Sequence, residues 1–276
     1  MSTIYVSDLD GTLLDAGSRL SAESAAIISD LTARGALITV ATARTPATVE
    51  PLLAEAPTAL PAIVMTGAAL WDRHGRRYID TKLIPADVSA TVRDICLRHG
   101  VYPFVYTLDR DLMLVYHSGP LSADDRRFIG QRDRLALKRF ILDDEAALSR
   151  DLPATVLLFA MGSVGRIFPL AEELRAGVDC SVSAYIDIFG DDVGILEVFA
   201  PGVSKADAVS RVARRSGADR VVVFGDNLND LPMMAVADVA VAVDNALPQV
   251  KEAADIIIGP NTANSVARFI KQDYDG

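Results

Sequence analysis

Apolar residues along this chain fall into two kinds of pattern. From the N-terminus to about residue 83, short near-continuous apolar runs alternate with helix-like segments. Ile4-Tyr5-Val6-Ser7 reads as a first strand. Ser21 suits a helix N-cap ahead of Ile27, Ile28 and Leu31, and Gly35 suits its stop. Leu37-Ile38-Thr39-Val40-Ala41 predicts a second strand and Ala62-Ile63-Val64-Met65 a third, with Thr45-Pro46 opening a helix between them. Strands that are apolar throughout, separated by helices, predict a parallel sheet covered on both faces.

The pattern returns near the C-terminus. Val221-Val222-Val223-Phe224, Val239-Ala240-Val241-Ala242-Val243 and Ile256-Ile257-Ile258 are again apolar runs with helical segments between. The middle differs, since apolar and polar residues there alternate more. Val101 to Tyr106 and Leu112 to His117 flank Asp109-Arg110-Asp111 and predict a hairpin. The fold expected is α/β: a doubly wound, Rossmann-like parallel sheet built from residues 1–83 and 201–276. Residues 84–200 read as an inserted α+β unit, with Pro85 and Pro201-Gly202 at its two joins.

Composition narrows the function. The 276 residues are half hydrophobic, ample for a large core. No apolar run nears the ~20 residues of a membrane helix, and no basic-then-apolar leader is visible at the N-terminus. A cytoplasmic protein, monomer or small homo-oligomer, is expected. The net charge of -10 repels nucleic-acid phosphates and argues against DNA or RNA as partner. Cys96 and Cys180 read as two buried free thiols, and His74, His99 and His117 as surface or loop residues without metal-ligand spacing.

Four short segments carry candidate chemistry. Asp8-Leu9-Asp10-Gly11-Thr12-Leu13 follows the first strand. Side chains two apart in an extended chain share a side, so Asp8 and Asp10 would converge, although an Asp-Gly turn alone also explains them. Gly225-Asp226-Asn227-Leu228-Asn229-Asp230 follows a later strand, with more carboxylates and amides than one helix cap needs. Ser204-Lys205-Ala206-Asp207 has capping-box spacing, which sets Lys205 in a first turn where the helix dipole disfavours a cation. A solvated surface lysine is the plainer reading. Thr42-Ala43-Arg44 ends the second strand before a helix and suits a phosphate oxygen, though a threonine there is commonplace. In open parallel sheets ligands bind beyond the carboxyl ends of the strands, where three of these segments fall. Carboxylate oxygens are what Mg²⁺ requires.

In their order and spacing these motifs resemble the haloacid dehalogenase superfamily, and within it the Cof-type sugar-phosphate phosphatases. D-L-D-G-T-L, T-A-R, V-S-K and G-D-N-L-N-D carry the resemblance, with V-A-V-D-N-A and V-K-E-A-A-D after them, so that it spans nearly the whole chain. Two positions depart from the family pattern. Ala43 stands where glycine is frequent, and Thr66-Gly67-Ala68 where Asn-Gly-Ala is common.

The resemblance implies a Mg²⁺-dependent phosphatase of small phosphorylated metabolites, in which residues 84–200 are an inserted α/β cap that sets substrate specificity and opens and closes on hinges near Pro85 and Pro201-Gly202. In it Asp8 is the nucleophile that becomes an aspartyl phosphate, and Asp10 is the general acid and then base. Asp8, the Asp10 carbonyl and Asp226 are the metal ligands. Thr42, Ala43, Lys205 and Asn229 are the phosphate contacts, and Asp230 supports Lys205 or the water around the metal. A phosphomutase, a phosphorylated receiver domain and a catalytically silent metabolite-binding protein are the rival readings. The substrate is not named by the sequence. Tyr102, Phe104, Tyr106, Tyr185 and Phe189 are aromatic candidates for it, with core packing the plainer role for most.

Overall fold

The computed structural model describes residues 2–186 and 192–276. Phe189 lies outside the described residues. The chain divides into two compact units, one of Met1–Asp80 with Ser204–Gly276, the other of Thr81–Val203.

In chain order the first unit opens with β1 (Thr3–Ser7), α1 (Ala22–Ala33), β2 (Leu37–Val40), α2 (Pro46–Leu52), β3 (Ala62–Val64), β4 (Ala69–Asp72) and β5 (Arg77–Thr81). The second unit contains α3 (Ala86–Arg98), β6 (Phe104–Asp109), β7 (Leu112–His117), α4 (Ala123–Gly130) and β8 (Lys138–Leu142), then α5 (Glu145–Asp151), β9 (Thr155–Ser163), α6 (Val164–Gly177), β10 (Ser181–Ile186) and β11 (Val193–Phe199). The first unit resumes with α7 (Lys205–Ser216), β12 (Arg220–Gly225), α8 (Leu231–Met234), β13 (Val239–Val243), α9 (Pro248–Ala253), β14 (Ile256–Ile258) and α10 (Ser265–Asp275).

The first unit holds a five-stranded parallel sheet in the order β14-β13-β12-β1-β2. A parallel bridge from Ala41 to Ile63 sets β3 beside β2. The resulting order is that of a Rossmann-type sheet, which reverses direction of growth between β1 and β12. Both strands are buried at their centres because both faces are covered: Ile4, Val6, Val222, Val223 and Phe224 are all inaccessible to solvent. Local signals work as read. Ser21 caps α1 by accepting from the Ser24 N–H, and Ser204 caps α7 by accepting from the Asp207 N–H.

The second unit is a six-stranded sheet, β10-β11-β9-β6-β7-β8, antiparallel except for the β7–β8 pair. Its hairpin begins at Phe104 rather than Val101, because Pro103 has no N–H to give a ladder. Phe104, Phe128, Phe140 and Phe159 pack ring against ring. Phe104 and Tyr106 are buried, whereas Tyr185 is exposed.

Two sequence expectations are corrected here. His117 is no surface residue: it is buried on β7 against the Phe104 ring. Both cysteines are free, but only Cys96 is buried, Cys180 being half-buried.

Lys138, at the start of β8, is 7% exposed and lies over the Tyr106 ring at 5.1 Å. Burial, reinforced by the charge of Arg132, pulls its ammonium down to about 7. In the folded state the proton is therefore held less tightly than in the unfolded chain, so charge at this position costs stability most below pH 7. Lys138→Met is expected to raise the thermal midpoint at pH 6. That gain should fade as pH rises toward the ordinary lysine value, which thermal unfolding across pH measures.

Candidate active site

β1 and β12 run side by side in register, Ser7 opposite Phe224, so their ends deliver Asp8 and Asp226 to one place. The Asp8 N–H donates to the Phe224 carbonyl at 2.9 Å, which continues the ladder one step past the strand. This is where the sheet order reverses, the place where parallel sheets leave a crevice. Gly11 then turns the chain with φ +81; a Cβ there would stand 2.4 Å from Asp226 Oδ2. Glycine is required both by the left-handed backbone and by that close approach. Thr12 Oγ1 donates to Asp226 Oδ1 at 2.7 Å and fixes the carboxylate.

The third participant arrives from α7. Lys205 is 1% exposed, and its Nζ donates to Asp8 Oδ1 at 2.5 Å and to Asp230 Oδ1 at 2.7 Å. Asp230 is fully buried, and its other oxygen accepts from the backbone N–H groups of Asp226 and Asn227. Gly67 lets the start of α7 approach, since a Cβ there would stand 2.3 Å from the Ser204 carbonyl oxygen. Arg211 ties the two together by donating to the Gly67 carbonyl while pairing with Asp80 and Asp207.

Charge is unbalanced at this point. Asp8, Asp226 and Asp230 bring oxygens within 4.8 Å of one another, against a single lysine. Burial raises Asp8 above the usual carboxylate range, and Asp230 and Asp226 add to this against the pull of Lys205. Burial likewise pushes Asp226 up to about 6. Lys205 is held above its ordinary value, because Asp230 and Asp8 outweigh its own burial. Three carboxylates and one ammonium leave two negative charges over, which a divalent cation or two protons would neutralise. An all-oxygen donor set suits a hard divalent cation. Asp230 has its oxygens committed to Lys205 and the backbone, so Asp8 and Asp226 are the carboxylates left to face an ion.

The other predicted residues are less tightly drawn in. Asp10 does not share a partner with Asp8. Its carboxylate takes two hydrogen bonds from Arg44, at 2.6 and 2.5 Å, and one from Ser18. Burial would raise its pKa, but Arg44 and Ser18 prevail and hold it below the usual range. Thr42 is buried, and its Oγ1 accepts from the Arg44 N–H. Ala43 is half-buried between them. Asn229 is exposed, and its side chain makes no hydrogen bond among the described residues. Arg44 is the functional candidate that pattern reading passed over, although it stands inside Thr42-Ala43-Arg44. Thr66 was noted only as a departure. It adopts φ +56, and the hydroxyls of Thr66 and Thr45 are buried without a partner among the described residues. Orphaned buried hydroxyls beside such a cluster suit ligand oxygens.

A family model described as haloacid dehalogenase-like hydrolase matches residues 5–270. The chain belongs to this family. Among curated relatives, the pyridoxal phosphate phosphatase YbhA of Escherichia coli is 24% identical, covering 95% of each chain. The 5-amino-6-(5-phospho-D-ribitylamino)uracil phosphatase YwtE of Bacillus subtilis is 26% identical, covering 98% of this chain and 97% of its own. In fold, the chain is similar to a haloacid dehalogenase-like hydrolase from Bacteroides thetaiotaomicron, with a TM-score of 0.78 and 21% identity over 99% of this chain and 100% of that one. No helix among the described residues is long and apolar enough to cross a membrane.

The charge imbalance generates a pair of opposite expectations. Lys205→Met leaves two buried carboxylates facing each other and should cost about 3–5 kcal/mol of stability. Asp8→Asn removes an unfavourable charge while Lys205 keeps Asp230, so without divalent cations it should be no less stable than the native chain. Denaturant unfolding in chelator measures both.

Proposed function

We propose that the chain is a Mg²⁺-dependent phosphatase of small phosphorylated metabolites, sugar phosphates among them, working through a phosphorylated Asp8. The observation that carries this reading is the meeting of Asp8, Asp226 and Asp230 around Lys205 at the reversal point of the sheet. The two curated relatives, named as phosphatases of small organic phosphates, support the substrate class.

Asp8 and Asp226, with the carbonyl of Asp10, are the groups that would hold Mg²⁺. When bound, the ion would offset negative charge on the transferring phosphoryl group. The rest of the chemistry belongs to the chain. An Asp8 oxygen attacks phosphorus, the ester P–O bond breaks, and the departing alkoxide takes a proton from Asp10. Asp10 then takes a proton from water, which attacks phosphorus and frees Asp8 and inorganic phosphate. Lys205, already seated on Asp8, stabilises charge on the phosphoryl oxygens. Thr42, Ala43 and Asn229 complete their contacts, and Asp230 holds Lys205 in place. For its acid role Asp10 must give up Arg44, which favours the carboxylate. Residues 84–200 select the substrate.

Hydrolysis of phosphate monoesters should need Mg²⁺ and be abolished in Asp8→Asn. Undiminished turnover in excess chelator would refute the metal assignment.

Asp10→Asn separates the two steps. A nitrophenolate leaves without a proton, whereas a sugar alkoxide needs one, and acid–base help is worth ~10²–10⁴-fold. Rapid mixing with nitrophenyl phosphate should show a burst of nitrophenolate, up to one equivalent per site, then slow turnover. A sugar phosphate should give neither. Equal defects on both substrates without a burst would remove Asp10 from proton transfer.

A further inference from the structure

β13 runs parallel to β12, so the turn that follows it, residues 244–247, emerges at the same edge of the sheet as Asp226. This turn reaches both acidic loops. The Leu247 N–H donates to the Asp226 carbonyl at 2.9 Å. Asn245 Nδ2 donates to the Gly11 carbonyl at 2.7 Å, across 234 positions of sequence. Asn245 Oδ1 accepts from the Asn261 N–H at 2.9 Å. Only one orientation of the amide serves both partners. Asn245 is exposed, where water could satisfy it, yet both ends of its amide are committed to the chain.

The turn is itself anchored. The Ala246 N–H donates to the Val243 carbonyl and the Val250 N–H to the Leu247 carbonyl, each at 2.9 Å. Lys251 on α9 pairs with Asp244 at 3.3 Å.

What the turn holds is the residue least able to hold itself. Gly11 has φ +81 and no side chain with which to fix its own conformation. Before it stands Asp10, whose carbonyl is among the groups that would hold Mg²⁺. After it stands Thr12, whose hydroxyl fixes the Asp226 carboxylate. A rotation at Gly11 would disturb both. Asn245 restrains that joint, and Leu247 restrains the Asp226 backbone.

We propose that Asn245 is a positioning residue for the divalent cation, acting through Gly11 on the Asp10 carbonyl and the Asp226 carboxylate. The inference rests on the Mg²⁺ reading of this site. Ligands ordered during folding need not be ordered again when the ion binds, so the brace contributes affinity without touching the ion. Asn261 serves as the comparison. Its side chain donates to the Leu14 carbonyl at 2.7 Å, beyond the Gly11 joint, and it meets Asn245 through a backbone N–H that alanine also supplies.

Titration calorimetry of Mg²⁺ into the full chain tests this. Asn245→Ala should bind the ion about tenfold more weakly than the native chain, whereas Asn261→Ala should bind it nearly as well. Thermal unfolding in chelator should show both variants folded. If Asn245→Ala does not fold, Asn245→Ser, too short to span both partners, makes the same comparison. Nitrophenyl phosphate hydrolysis by the Asn245 variant should need about tenfold more Mg²⁺ to reach half its maximal rate. Native Mg²⁺ affinity in Asn245→Ala overturns this inference and leaves the phosphatase reading standing. Equal weakening in Asn261→Ala also overturns it, since a general loosening of the segment then accounts for the loss. A native chain that takes up no divalent cation overturns both readings.

Discussion

A single ammonium group organises the first unit. Lys205 is enclosed, and burying an unpaired cation is prohibitive, so its position demands carboxylates. It receives two, from opposite ends of the chain's sequence: Asp8 lies 197 positions away and Asp230 lies 25. The rest of the site follows from keeping these groups in reach. Gly67 lets the α7 terminus come close, Gly11 admits Asp226, and two backbone N–H groups hold Asp230 in the orientation that meets the lysine. Because negative charge still exceeds positive, the site is set to take more cation. The same excess makes it costly when empty.

Two electrostatic arrangements coexist within three residues of chain. Asp8 is enclosed and crowded by other carboxylates, so its charge is disfavoured; Asp10 is nearer solvent and clasped by a guanidinium, so its charge is favoured. Two aspartates of one motif are thereby driven apart in proton affinity, which is how a site assigns different work to like side chains. Their difference comes from burial with the carboxylates of Asp230 and Asp226 on one side and from Arg44 on the other.

Much of this was readable from the residues alone. The apolar runs located β1, β2 and β12, and those strands alone place Asp8, Thr42 and Asp226 at one edge of a parallel sheet. Ser204 announced the start of α7 through its capping pattern, and with it the position of Lys205. What escaped the pattern were relations set by tertiary packing. Arg44 was visible in its motif, yet nothing local says that its guanidinium reaches Asp10. His117 looked like a polar strand end, but the Phe104 cluster encloses it. Lys138 carries no motif that marks it, and its burial is visible only in the fold.

The order of strands has a consequence for how the chain matures during synthesis. β1 is made before the second unit, yet one of its two neighbours in the sheet, β12, is separated from it by that entire unit. The second unit is contiguous, Thr81–Val203, with its pairings contained within itself. It can close its own sheet as it leaves the ribosome, while β1 still lacks a partner on one edge and Asp8 has no ammonium to meet. Asp8 is thus made before the second unit and acquires its surroundings only after it. Long-range pairing of this kind slows folding and leaves an apolar strand edge open in the interval. That edge closes only when β12 emerges, so the cluster of Asp8, Asp226 and Asp230 around Lys205 cannot assemble before then.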